Sequence, residues 1–140
     1  MLLRTFDSES LGYINLVEKV THARVKDCYK GNELVFIVEE GQAGRAIGKD
    51  GTNIKRLSAL LKKRIRIAEY NPDVAVFVNN LIYPVKGNIY KENGKIIIHG
   101  RGTRFKEAVL GKKRENLVHL QNIVSKYFDV VIEVKSITPR

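Results

Sequence analysis

Ala46-Ile47-Gly48-Lys49-Asp50-Gly51-Thr52-Asn53-Ile54 sets two glycines around a polar pair and runs on into an amphipathic helix. Glycine at 48 and 51 frees the main chain to take positive φ, and it leaves no Cβ in the path of an approaching sugar-phosphate backbone. Lys49 offers a point charge for a phosphate. The amides that open the next helix add partial positive charge at the same place. Two glycines this close can mark a turn and nothing else, so the flanks decide. Ala43, Ala46 and Ile47 before the loop, and Ile54, Leu57, Leu60 and Leu61 after it, put apolar residues at helical spacing on both sides. The glycines therefore interrupt a helix pair. A bare helix-helix corner would leave the Gly-Lys-Asp-Gly chemistry unused, and the stretch reads as a clamp for a nucleic-acid backbone.

Outward from the loop, the chain repeats itself. A shift of 63 residues, the step from Gly48 to Gly111, lays Ile47-Gly48-Lys49 on Leu110-Gly111-Lys112 and Ile54 on Leu117. It also lays Leu57 on Leu120, Leu60-Leu61 on Ile123-Val124, and Ile67 on Val130. Identity is low, but the apolar phase persists through both helices, as in a tandem repeat. The first unit reads as a helix through Leu11 to Val20, a strand Ala23 to Tyr29, a Gly31-Asn32 turn and a strand Leu34 to Glu39. A short helix to Ile47, the loop, a helix Thr52 to Lys62 and a strand Arg64 to Tyr70 complete it. Asn71-Pro72-Asp73 breaks the chain and caps the next helix. The second unit gives a helix Val74 to Ile82 stopped by Pro84, a strand Val85 to Tyr90, a Glu92-Asn93-Gly94 hairpin turn and a strand Lys95 to His99. Two helices flanking Gly111 and a strand Val130 to Ile137 close it. The expected class is α+β: two units, residues 1–71 and 72–140, each α-β-β-α-α-β with a three-stranded sheet and helices on one face.

Composition agrees with a polyanionic partner. The 140 residues carry 25 Lys and Arg against 15 Asp and Glu, a net charge of +10. The excess is gathered near the loops: Lys55, Arg56, Lys62, Lys63, Arg64 and Arg66 follow the first, and Arg101, Arg104, Lys106, Lys112, Lys113 and Arg114 surround the second. No apolar run approaches the ~20 residues of a membrane-spanning helix. The N-terminus shows no signal-peptide pattern and Cys28 is the one cysteine, so the expected compartment is a reducing cytoplasm.

Gly48-Lys49-Asp50-Gly51 between two amphipathic helices resembles the Gly-x-x-Gly loop of KH domains, which clamps about four nucleotides of a single strand. The longer run Glu40 to Leu57 resembles the first KH domain of the NusA family of transcription factors, and Asn80-Leu81-Ile82-Tyr83-Pro84-Val85-Lys86 resembles that family's entry into its second KH domain. The resemblance covers essentially the whole chain, in the short archaeal form. It implies two type II KH folds, single-stranded RNA, the nascent transcript, as partner, and a role in transcription elongation, termination or antitermination. It implies no cofactor and no catalysis. At this length there is no room for the polymerase-binding and OB-type domains of bacterial relatives, so contact with RNA polymerase and contact with another transcription factor both stay open, as does the oligomeric state. The residues expected at the RNA are Arg45, Ile47, Gly48, Lys49, Asp50, Gly51, Asn53, Ile54 and Lys55 in the first unit and Arg104, Gly111, Lys112, Lys113 and Arg114 in the second. Ile65 and Ile67 are further candidates for an apolar wall beside the clamp.

The second loop departs from the pattern, since Arg114 stands where the closing glycine should be. Its Cβ enters the approach path and disfavours positive φ, while its guanidinium suits phosphate. Two readings stand, an electrostatic hold on RNA and a packing role. Other function classes fare worse. Gly44 to Asp50 has one residue too few between glycines for a P-loop, and Asp50 replaces the Ser or Thr that would hold magnesium. Gly100-Arg101-Gly102 lacks the third glycine of a dinucleotide fingerprint, with Phe105 in its place. His22, His99 and His119 fall on different elements, and Cys28 reads as a small buried hydrophobe. The six tyrosines could stack on bases but fit core or its rim better. A ribosome-associated or ribosome-assembly KH protein is the alternative; a basic tail would favour it, and the expectation is against one, since the sequence closes with Ser136-Ile137-Thr138-Pro139-Arg140 almost as soon as the last strand does.

Overall fold

The computed structural model describes residues 7–137, so the chain ends, including Thr138 to Arg140, lie outside the described residues. The chain divides between Tyr70 and Asn71 into two compact units. The first contains α1 (Ser8–Thr21), β1 (Val25–Tyr29), β2 (Leu34–Val38), α2 (Ala43–Ile47), α3 (Thr52–Leu61) and β3 (Ile65–Glu69). The second contains α4 (Val74–Ile82), β4 (Asn88–Glu92), β5 (Lys95–Arg101), α5 (Gly102–Leu110), α6 (Glu115–Ser125) and β6 (Val131–Ile137). A single 3-10 turn joins α2 to α3, and another joins α5 to α6.

Each unit builds one three-stranded sheet, ordered β1-β2-β3 and β4-β5-β6. The first two strands of each pair antiparallel and the last joins the middle one in parallel. A parallel partner needs a crossover, and the paired helices supply it. The middle strand of the first unit, Leu-Val-Phe-Ile-Val, is buried at all five positions. Leu34 and Phe36 meet Ile14 and Val17 of α1, Cys28 of β1 and Leu57 of α3. Burying a side chain such as Phe36 contributes about 1.5 to 3 kcal/mol. Leu57 is fully enclosed there, so Leu57→Ala would open a cavity at a cost of about 3 kcal/mol.

Caps fix where the helices begin. Asp7 accepts from the Ser10 amide at 2.7 Å and opens α1, and Asp73 accepts from the Ala75 amide at 3.0 Å and opens α4. Helix α4 stops at Ile82, ahead of Tyr83-Pro84, because the residue before proline is pushed out of the helical region. The hairpin turn at Asn93-Gly94 takes φ of 51° and 76°, the left-handed pair that a two-residue hairpin requires.

Several expected bounds shift, and β5 runs on to Arg101 rather than stopping at His99. Strand β1 starts at Val25 rather than Ala23, because the Ala23 amide donates to the Thr21 hydroxyl at 3.1 Å and closes the end of α1 instead of entering the sheet. Strand β4 starts at Asn88 rather than Val85. The Val85 amide folds back on the Ile82 carbonyl at 2.9 Å, and a side chain at Gly87 would sit 3.0 Å from the Phe105 ring, so this segment is spent turning past α5. The 63-residue offset fails at the last strand: Ile67 lies within β3, whereas Val130 precedes β6. Tyr127 and Phe128 extend the end of α6 by amide bonds to the Val124 carbonyl and pack on Phe77 of α4, with ring centroids 5.5 and 6.0 Å away. That added turn delays the strand. Among the described residues no helix is long and apolar enough to cross a membrane.

Candidate nucleic-acid interface

The first loop is suspended between a short helix that other elements hold in place and a long one that starts without a side-chain cap. Glu69, at the end of β3, accepts the amides of Gly41 and Ala43 at 3.0 and 3.1 Å and so fixes the start of α2. The Gln42 side chain accepts the Arg24 amide at 3.0 Å, and Arg45 donates to the His22 carbonyl at 3.4 Å. Helix α2 ends at Gly48, whose φ of 78° and ψ of 166° turn the chain out of the helix. Asp50 (φ 56°, ψ 27°) and Gly51 (φ 72°, ψ 18°) follow in the left-handed region, and the Gly51 amide closes the turn on the Gly48 carbonyl at 3.1 Å. The Thr52 hydroxyl donates to the Lys49 carbonyl.

Lys49, Asp50, Lys55 and Arg56 are exposed around this turn, and Ile47, Gly48, Gly51 and Ile54 are half-buried. Asn53 is also half-buried and turns inward: its Nδ2 donates to the Arg45 carbonyl at 3.0 Å, bridging α3 back to α2. No side chain caps α3, and although the Thr52 amide bonds back to the Lys49 carbonyl, the positive end of the helix dipole lies beside Lys49. Of the apolar wall, Ile65 and Ile67 pack against the core between sheet and helices, and Ile67 also reaches Val38 and Ala46. Ile47 and Ile54 are the pair left flanking the loop.

The second loop has the same backbone. Gly111 (φ 72°, ψ −179°) ends α5, and Lys113 (φ 53°, ψ 30°) and Arg114 (φ 62°, ψ 20°) take the left-handed conformations that Asp50 and Gly51 take in the first. The Arg114 amide closes on the Gly111 carbonyl at 3.2 Å, and Asn116 donates to the Ala108 carbonyl at 3.2 Å. Arginine at the closing position therefore does not abolish positive φ. The backbone cost of a side chain at that φ remains, but no steric clash adds to it at the matching position of the first loop, where a Cβ built on Gly51 meets nothing within 4 Å. What changes is charge, because Lys112, Lys113 and Arg114 are all exposed where the first loop offers one cation and one carboxylate. Arg104 is exposed on α5, about 10 Å up the helix from Gly111.

Charge is sorted by location. Ion pairs join Lys95 to Glu133 and Lys135 to Glu92 in the second sheet, Arg66 to Glu33 in the first, and Lys30 to Asp7 and Glu9. Among the described residues, Lys49, Lys55, Arg56, Arg104, Lys112, Lys113 and Arg114 form none. Sequence reading missed two parts of the arrangement, the Glu69 anchor and the Asn116 bond. The second had a visible signal, since the repeat offset places Asn53 on Asn116.

Residues 13–138 match the KH domain family. The chain is 31% identical over 125 residues to the probable transcription termination protein NusA of Methanococcus vannielii, covering 86% of this chain and 72% of the relative. It is equally 31% identical over 125 residues to the protein of the same name from Methanocaldococcus jannaschii, covering 86% and 68%. Among solved structures, the crystal structure of APE1850 is similar, with a TM-score of 0.66, 32% identity, and coverage of 94% of this chain and all of the other.

Proposed function

The chain belongs to the KH domain family, and from that premise we propose that it binds single-stranded RNA, the nascent transcript, in transcription elongation, termination or antitermination. The transcription role is carried over from the relatives named as probable termination proteins. The reading takes residues 1–71 and 72–140 as two type II KH domains in tandem, supported by the α-β-β-α-α-β order in each unit.

One observation carries it: at Gly48 to Gly51 an exposed left-handed turn presents Lys49 beside the uncapped start of α3, with unpaired cations behind it. A phosphate at that turn meets backbone amides and an ammonium together, with no Cβ at Gly51 to hold it off. Ile47 and Ile54 flank the loop where unstacked bases would lie. Arg45, Asp50 and Lys55 border the same strand. In the second domain Gly111, Lys112, Lys113, Arg114 and Arg104 hold the backbone through charge. RNA polymerase or another transcription factor is the protein partner in this reading, which assigns no reaction to the chain.

Titration with matched single- and double-stranded oligonucleotides tests the binding mode, and equal affinity for both would defeat it. Crosslinking in cells tests the role. Enrichment of nascent or leader transcripts supports it, whereas enrichment of ribosomal RNA precursors would move the protein to ribosome assembly.

A further inference from the structure

We propose that Asn53 and Asn116 are latches, positioning residues that hold the two loops in their receiving shape before RNA arrives, rather than ligands of the RNA. The inference rests on the RNA-binding reading for its purpose. Its structural half stands alone.

The last carbonyls of a helix have no intrahelical partner. At the end of α2 the chain leaves helical dihedrals at Gly48, so the Arg45 carbonyl loses the amide that another turn would have brought; the Asn53 Nδ2 supplies the donor at 3.0 Å. At the end of α5 the Ala108 carbonyl receives Asn116 Nδ2 at 3.2 Å. Both bonds span eight residues and cross their loop from the following helix to the preceding one. A carbonyl acceptor requires the NH₂ end of the amide, so chemistry fixes which way each side chain points.

The latch also explains which glycine the loops keep. A Cβ on Gly48 would lie 2.9 Å from Asn53 Cγ, and one on Gly111 would lie 2.5 Å from Asn116 Cγ. Both contacts are shorter than side chains tolerate, so the inward asparagine leaves no room for a side chain at the first glycine, whose φ of 78° or 72° already favours glycine. At the closing position a Cβ on Gly51 would meet nothing within 4 Å, and the second loop carries Arg114 there at φ 62°. Two loops with different polar residues thus share one first glycine, one asparagine and one backbone. Fixing a loop in advance removes part of the ordering cost of binding.

The test uses the full chain with Asn53→Ala, the isosteric Asn53→Asp, which cannot donate when ionised, and Asn116→Ala. Amide hydrogen exchange at Gly51 and Arg114 is read without RNA, and affinity is read with a random-sequence single-stranded RNA of about eight nucleotides. Both Asn53 variants should speed exchange at Gly51 and leave Arg114 alone, and Asn116→Ala should do the reverse. Affinity should fall on the order of fivefold in each case, as expected for one lost hydrogen bond. Weakened binding with unchanged loop exchange would make Asn53 a direct RNA ligand and overturn the latch. Faster exchange with undiminished affinity would overturn its role in binding. Should the unmutated chain bind no RNA, the RNA reading fails, and the exchange data still judge the latch.

Discussion

The loops at Gly48 to Gly51 and Gly111 to Arg114 share a backbone and differ in charge. Asp50 and Gly51 lie at φ 56° and 72°, Lys113 and Arg114 at 53° and 62°, and both turns close on the carbonyl of their first glycine. Yet the first turn sums to no net charge and the second carries three exposed cations. Backbone shape at this motif is therefore set separately from side-chain chemistry. The first glycine and the asparagine five residues on set the shape, and the intervening positions are free to set what the loop attracts. Phosphate contacts position a strand without reading it. In the proposed reading the first loop is the base-reading clamp, and the second adds affinity for any sequence.

The largest effect should come from reversing charge in the second loop. Lys112→Glu with Arg114→Glu removes two charge-assisted contacts and should cost about 3 kcal/mol of binding, equally for every RNA sequence tried. A sequence-dependent loss in a titration panel would make the second loop a reader too. Next, Gly51→Asp should cost about 2 kcal/mol of binding by setting a carboxylate at the phosphate approach. It should flatten the ranking of sequences while the fold survives at a cost of about 1 kcal/mol, since a side chain at φ 72° is strained but meets no atom within 4 Å. Thermal melts beside the titrations separate the effects, and full affinity in a folded Gly51→Asp chain would remove the first loop from the interface.

A smaller effect of opposite sign should appear for Arg114→Gly. Arginine at φ 62° carries a cost of about 1 kcal/mol that glycine does not. The substitution should raise the melting temperature while lowering RNA affinity. A variant that melts lower would show that Arg114 is held there by packing.

The smallest effect concerns the helix starts. The Ser10 amide, with the Lys30 ammonium beside it, draws the exposed Asp7 carboxyl down to about 2. A lowered carboxyl stabilises the folded state fully above its ordinary value of 3.8, and loses that contribution as pH falls through about 2. The start of α1 should fray over that interval, as followed by amide exchange at Ser10. Unchanged protection down to pH 2 would mean that Asp7 is not the cap.

Much of this was legible from residues. The glycine spacing, the repeat and the turn at Asn93-Gly94 are local signals, and local signals survive into the fold. Tertiary choices were not. Ile65 and Ile67 alternate with charge as a groove wall would, and the sheet-helix contact claims them for the core. The added turn at Tyr127 and Phe128 depends on Phe77, a distant residue, so no periodicity could place the start of β6. The closing position of the second loop was legible only as a departure, because the left-handed φ of 62° that Arg114 adopts there is a property of the folded turn.

Salt dependence tests the division between the loops most directly. The slope of log K against log salt, measured on one single-stranded RNA, should fall by about 1.4 from the unmutated chain to Lys112→Glu with Arg114→Glu, at roughly 0.7 for each lost phosphate contact. The order of preference among RNA sequences should stay the same. An unchanged slope, or a reordered preference, would contradict a second loop that holds the backbone while the first one reads.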